Sequence, residues 1–132
     1  TTDYAVEIYY EAIKKGTYQC FLEKDTYLPM MFMPDAIKAT IQLMETDANK
    51  LSIDDSYNVG GMSFCPDDVF KAIKKEMPDF TITYQPDFRQ AIANSWPQSI
   101  DDSIAQRDWG LNYQYDLDAM TKVMLKEIKK KF

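Results

Sequence analysis

The sequence predicts an α/β fold, because helical and extended segments alternate along it with short links between them. Stretches with apolar residues at helical spacing are separated by short runs rich in aromatic and β-branched residues. The 132 residues are 45% hydrophobic and 27% charged, as is usual for a folded globular protein. The strands are few and short for a self-contained parallel sheet, so we expect the chain to form a contiguous half of a larger domain.

The first third of the chain predicts one helix followed by two strands. Residues 3–15 carry a clean helical stripe, and Gly16 suits the closing position of that helix. Strands are predicted over 18–22 and over 26–32, the second interrupted by Pro29. Because both segments contain few polar positions, we expect them to be covered on both faces.

The middle of the chain repeats this alternation. A helix is predicted over 34–45, with a proline at its first position and with Ile37, Ile41 and Met44 on one side. A polar loop follows. A brief strand is then predicted over 57–59, and it ends at two glycines that indicate a strand-to-helix turn.

Three further elements follow in the second half. Pro66 opens a helix that Pro78 ends, and the alternation over 80–84 favours a strand. The last helix is predicted over 117–128, where Met120 lies on the apolar side.

Between the last strand and the last helix, two short helical patterns flank a Ser-Trp-Pro turn. The first ends before Pro97, and the second runs from about residue 99 to Gly110. Trp96 therefore lies on a connecting turn, where a large aromatic side chain needs something to cover. It either packs onto the chain's own core or closes over a small ligand, and the residues alone leave both alternatives open.

Composition and charge argue against several classes of function. The net charge of −6 argues against nucleic acid, which needs a clustered basic surface. No apolar run approaches the ~20 residues that cross a bilayer, and no signal peptide is visible, so we expect neither a membrane nor a secreted location. The absence of histidine removes histidine triads and most metal sites. Cys20 and Cys65 are too few and too far apart for a disulfide scaffold or a zinc site, so we expect buried or idle thiols.

Long motifs along the chain resemble one family. They are Arg-Gln-Ala-Ile-Ala-Asn-Ser-Trp-Pro at 89–97, Asp-Asp-Ser at 101–103 and Arg-Asp-Trp-Gly at 107–110, preceded by Thr-Thr-Asp-Tyr-Ala-Val-Glu-Ile at 1–8, Met-Met-Phe-Met-Pro-Asp at 30–35 and Tyr-Asn-Val at 57–59. In this order they resemble the C-terminal half of L-threonine 3-dehydrogenases of the extended short-chain dehydrogenase type, relatives of the UDP-sugar epimerases. The resemblance covers essentially the whole chain.

The resemblance implies a Rossmann-type, NAD-dependent oxidoreductase that oxidises the side-chain hydroxyl of L-threonine to give 2-amino-3-oxobutanoate. It implies that residues 1–132 are the C-terminal substrate-binding portion, including segments that return to the Rossmann-type domain. The family's substrate pocket uses the second threonine of the Thr-Thr pair and the tryptophan of the Ser-Trp-Pro turn, here Thr2 and Trp96. It further implies a homodimer, in the mitochondrion of a eukaryote or otherwise in the cytoplasm.

The catalytic and cofactor-binding motifs of that family are not expected in this chain. Tyr10 and Lys14 have the family's Tyr-x-x-x-Lys spacing, but with nine tyrosines one chance match is expected, and the family's pair precedes the stretch that matches Thr1 onwards. Gly60 and Gly61 lack the spacing of a dinucleotide-binding turn. We therefore predict no catalytic, cofactor-binding or metal-binding residue here, and no activity of the chain alone.

Other polar residues have open or structural interpretations. Arg89 could bind a phosphate, as an arginine does in related sugar-nucleotide enzymes. A substrate of the size of threonine has no phosphate, so pairing of Arg89 with a carboxylate is favoured. Asn94 stands where the resemblance leads us to expect an aspartate, which removes a charge beside Trp96. Asp101 and Asp102 suit the start of a helix. Two alternative functions remain open: a UDP-sugar epimerase or dehydratase of the same superfamily, and a non-catalytic α/β binding module.

Overall fold

A computed structural model describes residues 3–132, which form six α-helices and four short β-strands. In chain order these are α1 (Tyr4–Lys15), β1 (Thr17–Cys20), β2 (Leu28–Met30), α2 (Met33–Glu45), β3 (Met62–Phe64), α3 (Pro66–Glu76), β4 (Thr81–Tyr84), α4 (Arg89–Asn94), α5 (Ser103–Trp109) and α6 (Leu117–Lys129). A short 3-10 helix, Ala48–Lys50, follows α2. No helix in this part of the chain is both long and apolar enough to cross a membrane.

The strands form two separate pairs. β1 runs parallel to β4, with Thr17 opposite Thr81. β2 runs antiparallel to β3, with Pro29 opposite Ser63. Proline has no N–H to donate to a neighbouring strand. β2 tolerates Pro29 because one of its two edges makes no hydrogen bonds to another described strand. The mixture of helices with both kinds of strand pair confirms the predicted α/β class.

The larger hydrophobic core, called here the main core, is formed by α1, α3, α6 and both strand pairs. α1 packs against α3, α6 and β1, and its Ile8 and Tyr9 are fully buried. The hydroxyls of Tyr9 and Thr121 are hydrogen bonded at 2.9 Å, which satisfies two polar groups inside the core. The helix begins after Asp3 and ends at Gly16, which adopts the left-handed conformation as predicted.

The β1–β4 pair is covered on one face only. Tyr18 and Cys20 of β1 are buried in the main core, whereas Thr17 and Gln19 are exposed. The expectation that this strand is covered on both faces is therefore wrong for the described part of the chain. The outward positions are polar, which is the pattern of a sheet with one solvent face.

A smaller core, called here the second core, joins α2 and α5 to the loops around them. Its buried residues are Ala39, Ala105, Trp109 and Leu111, surrounded by the half-buried Leu43, Leu51, Tyr57, Val59 and Tyr113. The Gln42 Nε2 group donates to two carbonyl oxygens at the end of α5, at 2.8 and 3.1 Å. The buried Asp35 carboxylate accepts from two backbone N–H groups at 114 and 115. Polar side chains thus hold the second core together alongside its apolar contacts.

The strand predicted over 57–59 is not formed among the described residues. Tyr57 and Val59 pack their side chains in the second core, and the strand of this region is β3, a few residues later. A strand needs a neighbour for its backbone groups, and no described strand lies beside 57–59. The predicted strand-to-helix turn at the two glycines is also wrong, because Gly61, whose φ is +69°, leads into strand β3.

The outer side of α2 is apolar and exposed. The predicted stripe of Ile37, Ile41 and Met44 is present, and together with Met33 it faces solvent, whereas Ala39 is buried beneath the helix. An apolar stripe at helical spacing is typical of a helix that packs against another element.

Candidate functional site

A cavity lies where the start of α1, the start of α4 and β2 come together. It has a volume of about 490 Å³, within the range of small-molecule sites. Its wall is largely apolar and includes Phe21, Leu28, Met30, Ile92 and Trp96. The hydroxyl-bearing Tyr4 and two residues of opposite charge, Asp3 and Arg89, complete it. Such a cavity suits a small molecule that has both an apolar part and charged groups.

Trp96 lines this cavity from the turn between α4 and α5. Its side chain is 60% exposed, whereas Trp109 is 6% exposed and lies in the second core. The turn is held locally: the Trp96 N–H donates to the Ala93 carbonyl at 3.1 Å, and the Ser95 hydroxyl donates to the Ile92 carbonyl at 2.6 Å. Trp96 is therefore not packed into the chain's own core, and the alternative in which it covers a ligand gains support.

The other predicted substrate-binding residue, Thr2, lies outside the described residues. Its neighbour in the sequence, Asp3, caps α1 and lines the cavity. The Asp3 carboxylate accepts a hydrogen bond from the Ala5 N–H at 3.0 Å. A role for Thr2 in binding substrate stays a prediction.

Arg89 forms the positively charged part of the wall and is held on two sides. Its Nε donates to the two carboxylate oxygens of Asp87 at 3.0 and 3.1 Å, and its Nη2 donates to Oδ2 at 2.5 Å. Its guanidinium carbon lies 3.4 Å from the centre of the Phe21 ring. The hydrogen bond to Arg89 lowers the pKa of Asp87, so the pair stays charged. The predicted pairing of Arg89 with a carboxylate is confirmed.

Uncharged hydroxyl and thiol groups include Tyr4 in the cavity wall and the buried cysteines Cys20 and Cys65. Burial raises the pKa of Tyr4 far above the ordinary tyrosine value, and it also raises the pKa of the Cys20 and Cys65 thiols. Both cysteines are free and buried, as predicted. Because these groups are neutral near pH 7, they supply neither a base nor a thiolate nucleophile. The described wall is equipped to bind and orient a molecule.

Comparison with known sequences gives one group of relatives. No family model matches the chain. A protein of Staphylococcus haemolyticus, described as an uncharacterized epimerase/dehydratase, is 52% identical over 132 residues, which is 99% of this chain and 42% of that protein. The chain thus spans about two-fifths of the length of the curated relatives it matches.

Comparison with solved structures points to L-threonine dehydrogenases. The enzyme from Phytophthora infestans superposes with a TM-score of 0.94 at 50% identity, over 98% of this chain and 42% of that one. A monomeric L-threonine 3-dehydrogenase from a metagenome superposes with a TM-score of 0.90 at 42% identity, over 97% and 41% of the two chains. The fold of the chain matches about two-fifths of extended short-chain dehydrogenases of the GalE-like type. Its match lies in their C-terminal part.

The Tyr-x-x-x-Lys spacing of this dehydrogenase family occurs here far from the cavity. The Tyr10 ring stacks edge-on against Phe132, with centroids 6.3 Å apart, and its hydroxyl accepts a hydrogen bond from Lys131 at 3.1 Å. The Lys14 ammonium lies 4.8 Å from the Phe132 ring. Tyr10 and Lys14 thus form part of a surface cluster with the C-terminal residues, and neither lines the cavity.

The paired acidic residues before α5 have structural roles. Asp101 accepts a hydrogen bond from the Ser103 N–H at 2.9 Å, and Asp102 accepts from the Gly60 N–H at 3.1 Å and from the Tyr113 hydroxyl. These contacts join the start of α5 to the loop before β3. Among residues 3–132, no three histidine, cysteine, aspartate or glutamate side chains are grouped to hold a metal ion.

Asn94 lies beside Trp96 in a small polar cavity adjoining the first. Its Oδ1 accepts a hydrogen bond from the Gln90 Nε2 at 2.9 Å. An aspartate could accept the same bond, so the asparagine preserves the geometry and removes one negative charge.

Sequence reasoning missed most of the cavity wall. Asp3 falls only within a predicted helix, and no sequence pattern gives Phe21 or Leu28 a role in a site. These residues come together through packing between segments that are distant in the chain, which no local pattern reports. The available signal for Asp3 was its position directly after the Thr-Thr pair.

Proposed function

We propose that this chain is the substrate-recognising part of an NAD-dependent L-threonine 3-dehydrogenase, which oxidises L-threonine to 2-amino-3-oxobutanoate. The observation that carries the proposal is the cavity lined by Trp96, in a fold that L-threonine dehydrogenases share over almost the whole chain. Its apolar wall suits the methyl group of threonine. Its two charged residues suit an amino acid, which carries one charge of each sign.

Within this proposal Trp96 covers the bound substrate and Thr2 orients it. An indole placed over the cavity excludes water, which strengthens the polar contacts beneath it. A fixed orientation of the substrate hydroxyl raises the rate of its oxidation by the reactive groups.

The reactive groups themselves are assigned to the part of the protein outside this chain. A dinucleotide site needs a glycine-rich turn between a strand and a helix. Gly16 and Gly110 close helices instead, and Gly61 leads into β3, so the described residues do not fit NAD. We therefore propose that NAD and the tyrosine–lysine pair belong to the remaining part of the protein.

Residues 1–132 then form the C-terminal substrate-binding portion, with segments that return to the Rossmann-type domain. Two features favour α2 and 57–59 as those segments. The outer side of α2 carries exposed apolar residues such as Ile37 and Ile41, which another element would cover. Residues 57–59 have the sequence of a strand and no neighbouring strand in the described chain.

A homodimer remains part of the proposal, in the mitochondrion of a eukaryote or otherwise in the cytoplasm. Since one related L-threonine 3-dehydrogenase is monomeric, the fold alone does not determine the oligomeric state. Light scattering on the complete protein would give it directly, and fractionation of the source cells would give the compartment.

A second candidate function is a sugar-nucleotide epimerase or dehydratase. The description of the Staphylococcus haemolyticus relative and the presence of Arg89 in the cavity wall favour it. In that case Arg89 would bind a phosphate, and L-threonine would not be a substrate.

Turnover by the complete protein distinguishes the two candidates. With NAD and L-threonine we expect NADH to form, and with UDP-glucose we expect neither binding nor turnover. Trp96→Ala should lower kcat/KM for L-threonine by about 10- to 100-fold because a desolvated contact is lost, and Trp96→Phe should retain most of it. Absence of NADH formation by the unmodified protein would refute the proposal.

A further inference from the structure

Gln90 links α4 to the loop that connects β1 with β2. Its Oε1 accepts a hydrogen bond from the Glu23 N–H at 2.8 Å, and its Nε2 donates to the Thr26 hydroxyl oxygen at 3.0 Å. The same Nε2 group donates to Asn94 Oδ1 at 2.9 Å, one turn later on the helix. Gln90 is half-buried and Thr26 is buried. One amide group thus joins two segments that lie 67 residues apart in the chain.

Both of the segments that Gln90 joins contribute to the cavity wall. The loop after β1 supplies Phe21 and Leu22, and α4 with the turn after it supplies Ile92 and Trp96. Gln90 lies outside this wall, in the small polar cavity that adjoins the first. Its side chain therefore affects the first cavity through the two segments that it holds together.

The helix α4 is too short to fix the position of Trp96 without such links. It has six residues, among which Ala93 is buried. Isolated helices of this length are unstable in water, so contacts with the rest of the chain must hold it in place. Trp96 depends on the same contacts, because its N–H donates to the Ala93 carbonyl at 3.1 Å.

We propose that Gln90 is a positioning residue for substrate recognition: it holds α4 against the loop after β1 and thereby places Trp96 over the cavity. This inference rests on the proposed function, and it gives Gln90 a role in threonine binding that needs no contact with the substrate. Small displacements of a residue that positions a substrate have large effects on turnover.

An amide group is the chemistry that this link requires. The Glu23 N–H needs an acceptor, whereas Asn94 Oδ1 needs a donor, and the amide of Gln90 supplies both. Methionine is a flexible, unbranched side chain that has no N–H donor and only a weak acceptor. Glutamate keeps the acceptor for the Glu23 N–H and lacks the N–H donors. These two substitutions therefore remove the link completely or in part.

The experiment measures steady-state kinetics of the complete protein with NAD and L-threonine. Gln90→Met should raise KM for L-threonine by about 3- to 10-fold, the range expected for lost hydrogen bonds. Its kcat should change by less than about twofold, because Gln90 lies outside the cavity wall. Gln90→Glu should recover part of the loss. A KM that stays within about twofold of the unmodified value in Gln90→Met would overturn the inference.

A double-mutant cycle with Trp96 tests whether Gln90 acts through that residue. In a Trp96→Ala background, Gln90→Met should change KM by less than about twofold, because the indole that Gln90 positions is already absent. The two substitutions are then strongly non-additive. An equally large rise in KM in both backgrounds would contradict the inference, since Gln90 would be acting independently of Trp96.

Gln42→Met is the matched control for a link with a structural role. Gln42 joins α2 to the end of α5 through hydrogen bonds at 2.8 and 3.1 Å, and it lies at the second core, away from the cavity. This variant should have a lower Tm and a KM within about twofold of the unmodified value. An equal rise in KM in Gln42→Met and Gln90→Met would overturn the inference, because KM would then follow the loss of stability alone.

The outcomes also separate this inference from the proposed function. If the unmodified protein oxidises L-threonine but Gln90→Met leaves KM unchanged, the inference fails and the proposed function stands. If Gln90→Met does not fold, Thr26→Val decides the question, since it removes one hydrogen bond of the same link and keeps a β-branched side chain. A raised KM in Thr26→Val supports the inference and an unchanged KM overturns it. If the unmodified protein does not oxidise L-threonine, both proposals fail.

Discussion

The main core and the second core are built from the same kinds of residue, yet they are completed to different degrees. In the main core α1, α3 and α6 close over β1 and β4, and residues such as Ile8 and Ile73 are fully buried. In the second core the inner side of α2 is packed, but Ile37 and Met44 on its outer side face solvent. The sequence of α2 is as apolar as that of a buried helix. The exposure of its outer side therefore reflects the lack of a packing partner among the described residues.

The second core also relies more on hydrogen-bonded side chains. Asp108 accepts hydrogen bonds from the Ser52 N–H at 3.0 Å and from the Tyr57 hydroxyl at 2.7 Å. The indole Nε1 of Trp109 and the Oε1 of Gln42 are buried and have no partner among the described residues. The hydroxyls of Tyr4 and Tyr84 in the main core likewise have no partner among the described residues, so it is the hydrogen-bonded Asp108 carboxylate that sets the second core apart.

The most direct way to break this comparison is to truncate one isoleucine in each region. Ile73 is 0% exposed, so Ile73→Ala should lower the free energy of unfolding of the 132-residue chain by about 2–5 kcal/mol. Ile37 is 54% exposed, so Ile37→Ala should change it by less than about 0.5 kcal/mol. Urea unfolding of the two variants gives both values.

The same two isoleucine variants, made in the complete protein, test the proposal that another part of the protein covers α2. There Ile37→Ala should become clearly destabilising, since the remaining part of the protein would cover the α2 face. Equal losses for both variants in the isolated chain, or no added loss for Ile37→Ala in the complete protein, would contradict the distinction between the two cores.

A smaller effect is expected at the glycine that leads into β3. Gly61 and Gly16 both have φ near +69°, so alanine at either position is strained by about 1–2 kcal/mol. A Cβ at Gly61 would also collide with the Met30 carbonyl oxygen, whereas a Cβ at Gly16 would meet nothing within 4 Å. Thermal unfolding should therefore show a larger loss of Tm for Gly61→Ala than for the matched control Gly16→Ala. The reverse order would mean that the β2–β3 pair shifts at little energetic cost to accommodate the added Cβ of Gly61→Ala.

Acid should affect the second core selectively. Hydrogen bonds from Ser52 and Tyr57 hold the pKa of Asp108 well below the ordinary aspartate value. Because the folded-state pKa is the lower one, the stabilisation is present above about pH 4 and is lost as the pH falls below that value. In a Trp96→Phe background Trp109 is the remaining tryptophan, and its fluorescence should change at a higher pH than the helical circular dichroism.

Asp108→Asn is the control for this acid effect. The asparagine does not titrate in this range, so the early fluorescence change should disappear. If both signals change together in the parent and in Asp108→Asn, the acid sensitivity does not come from the second core.

Local sequence signals were sufficient for the helices of the main core. Gly16 ends α1, and prolines bound α3, so spacing and caps placed these helices within one or two residues. The short strand pairs could not be predicted from local patterns. β3 forms because β2 lies beside it. Residues 57–59 favour a strand but lack a described neighbour. Which strands pair depends on the tertiary fold, and the local spacing of residues does not specify it.

The candidate site divides in the same way. Trp96 was predicted from a motif resemblance, and the carboxylate partner of Arg89 from the chemistry of arginine. That arginine lines a cavity because α4 comes together with the start of α1 and with β2. The local sequence pattern does not predict this arrangement.

The central claim is that this chain recognises the substrate and lacks the reactive groups. It is tested by L-threonine-dependent NADH formation with the purified 132-residue chain, measured beside the complete protein under the same conditions. We predict NADH formation by the complete protein and none by the isolated chain. Measurable threonine-dependent NADH formation by the chain alone would contradict the claim, because it would require a cofactor site and a base within these 132 residues.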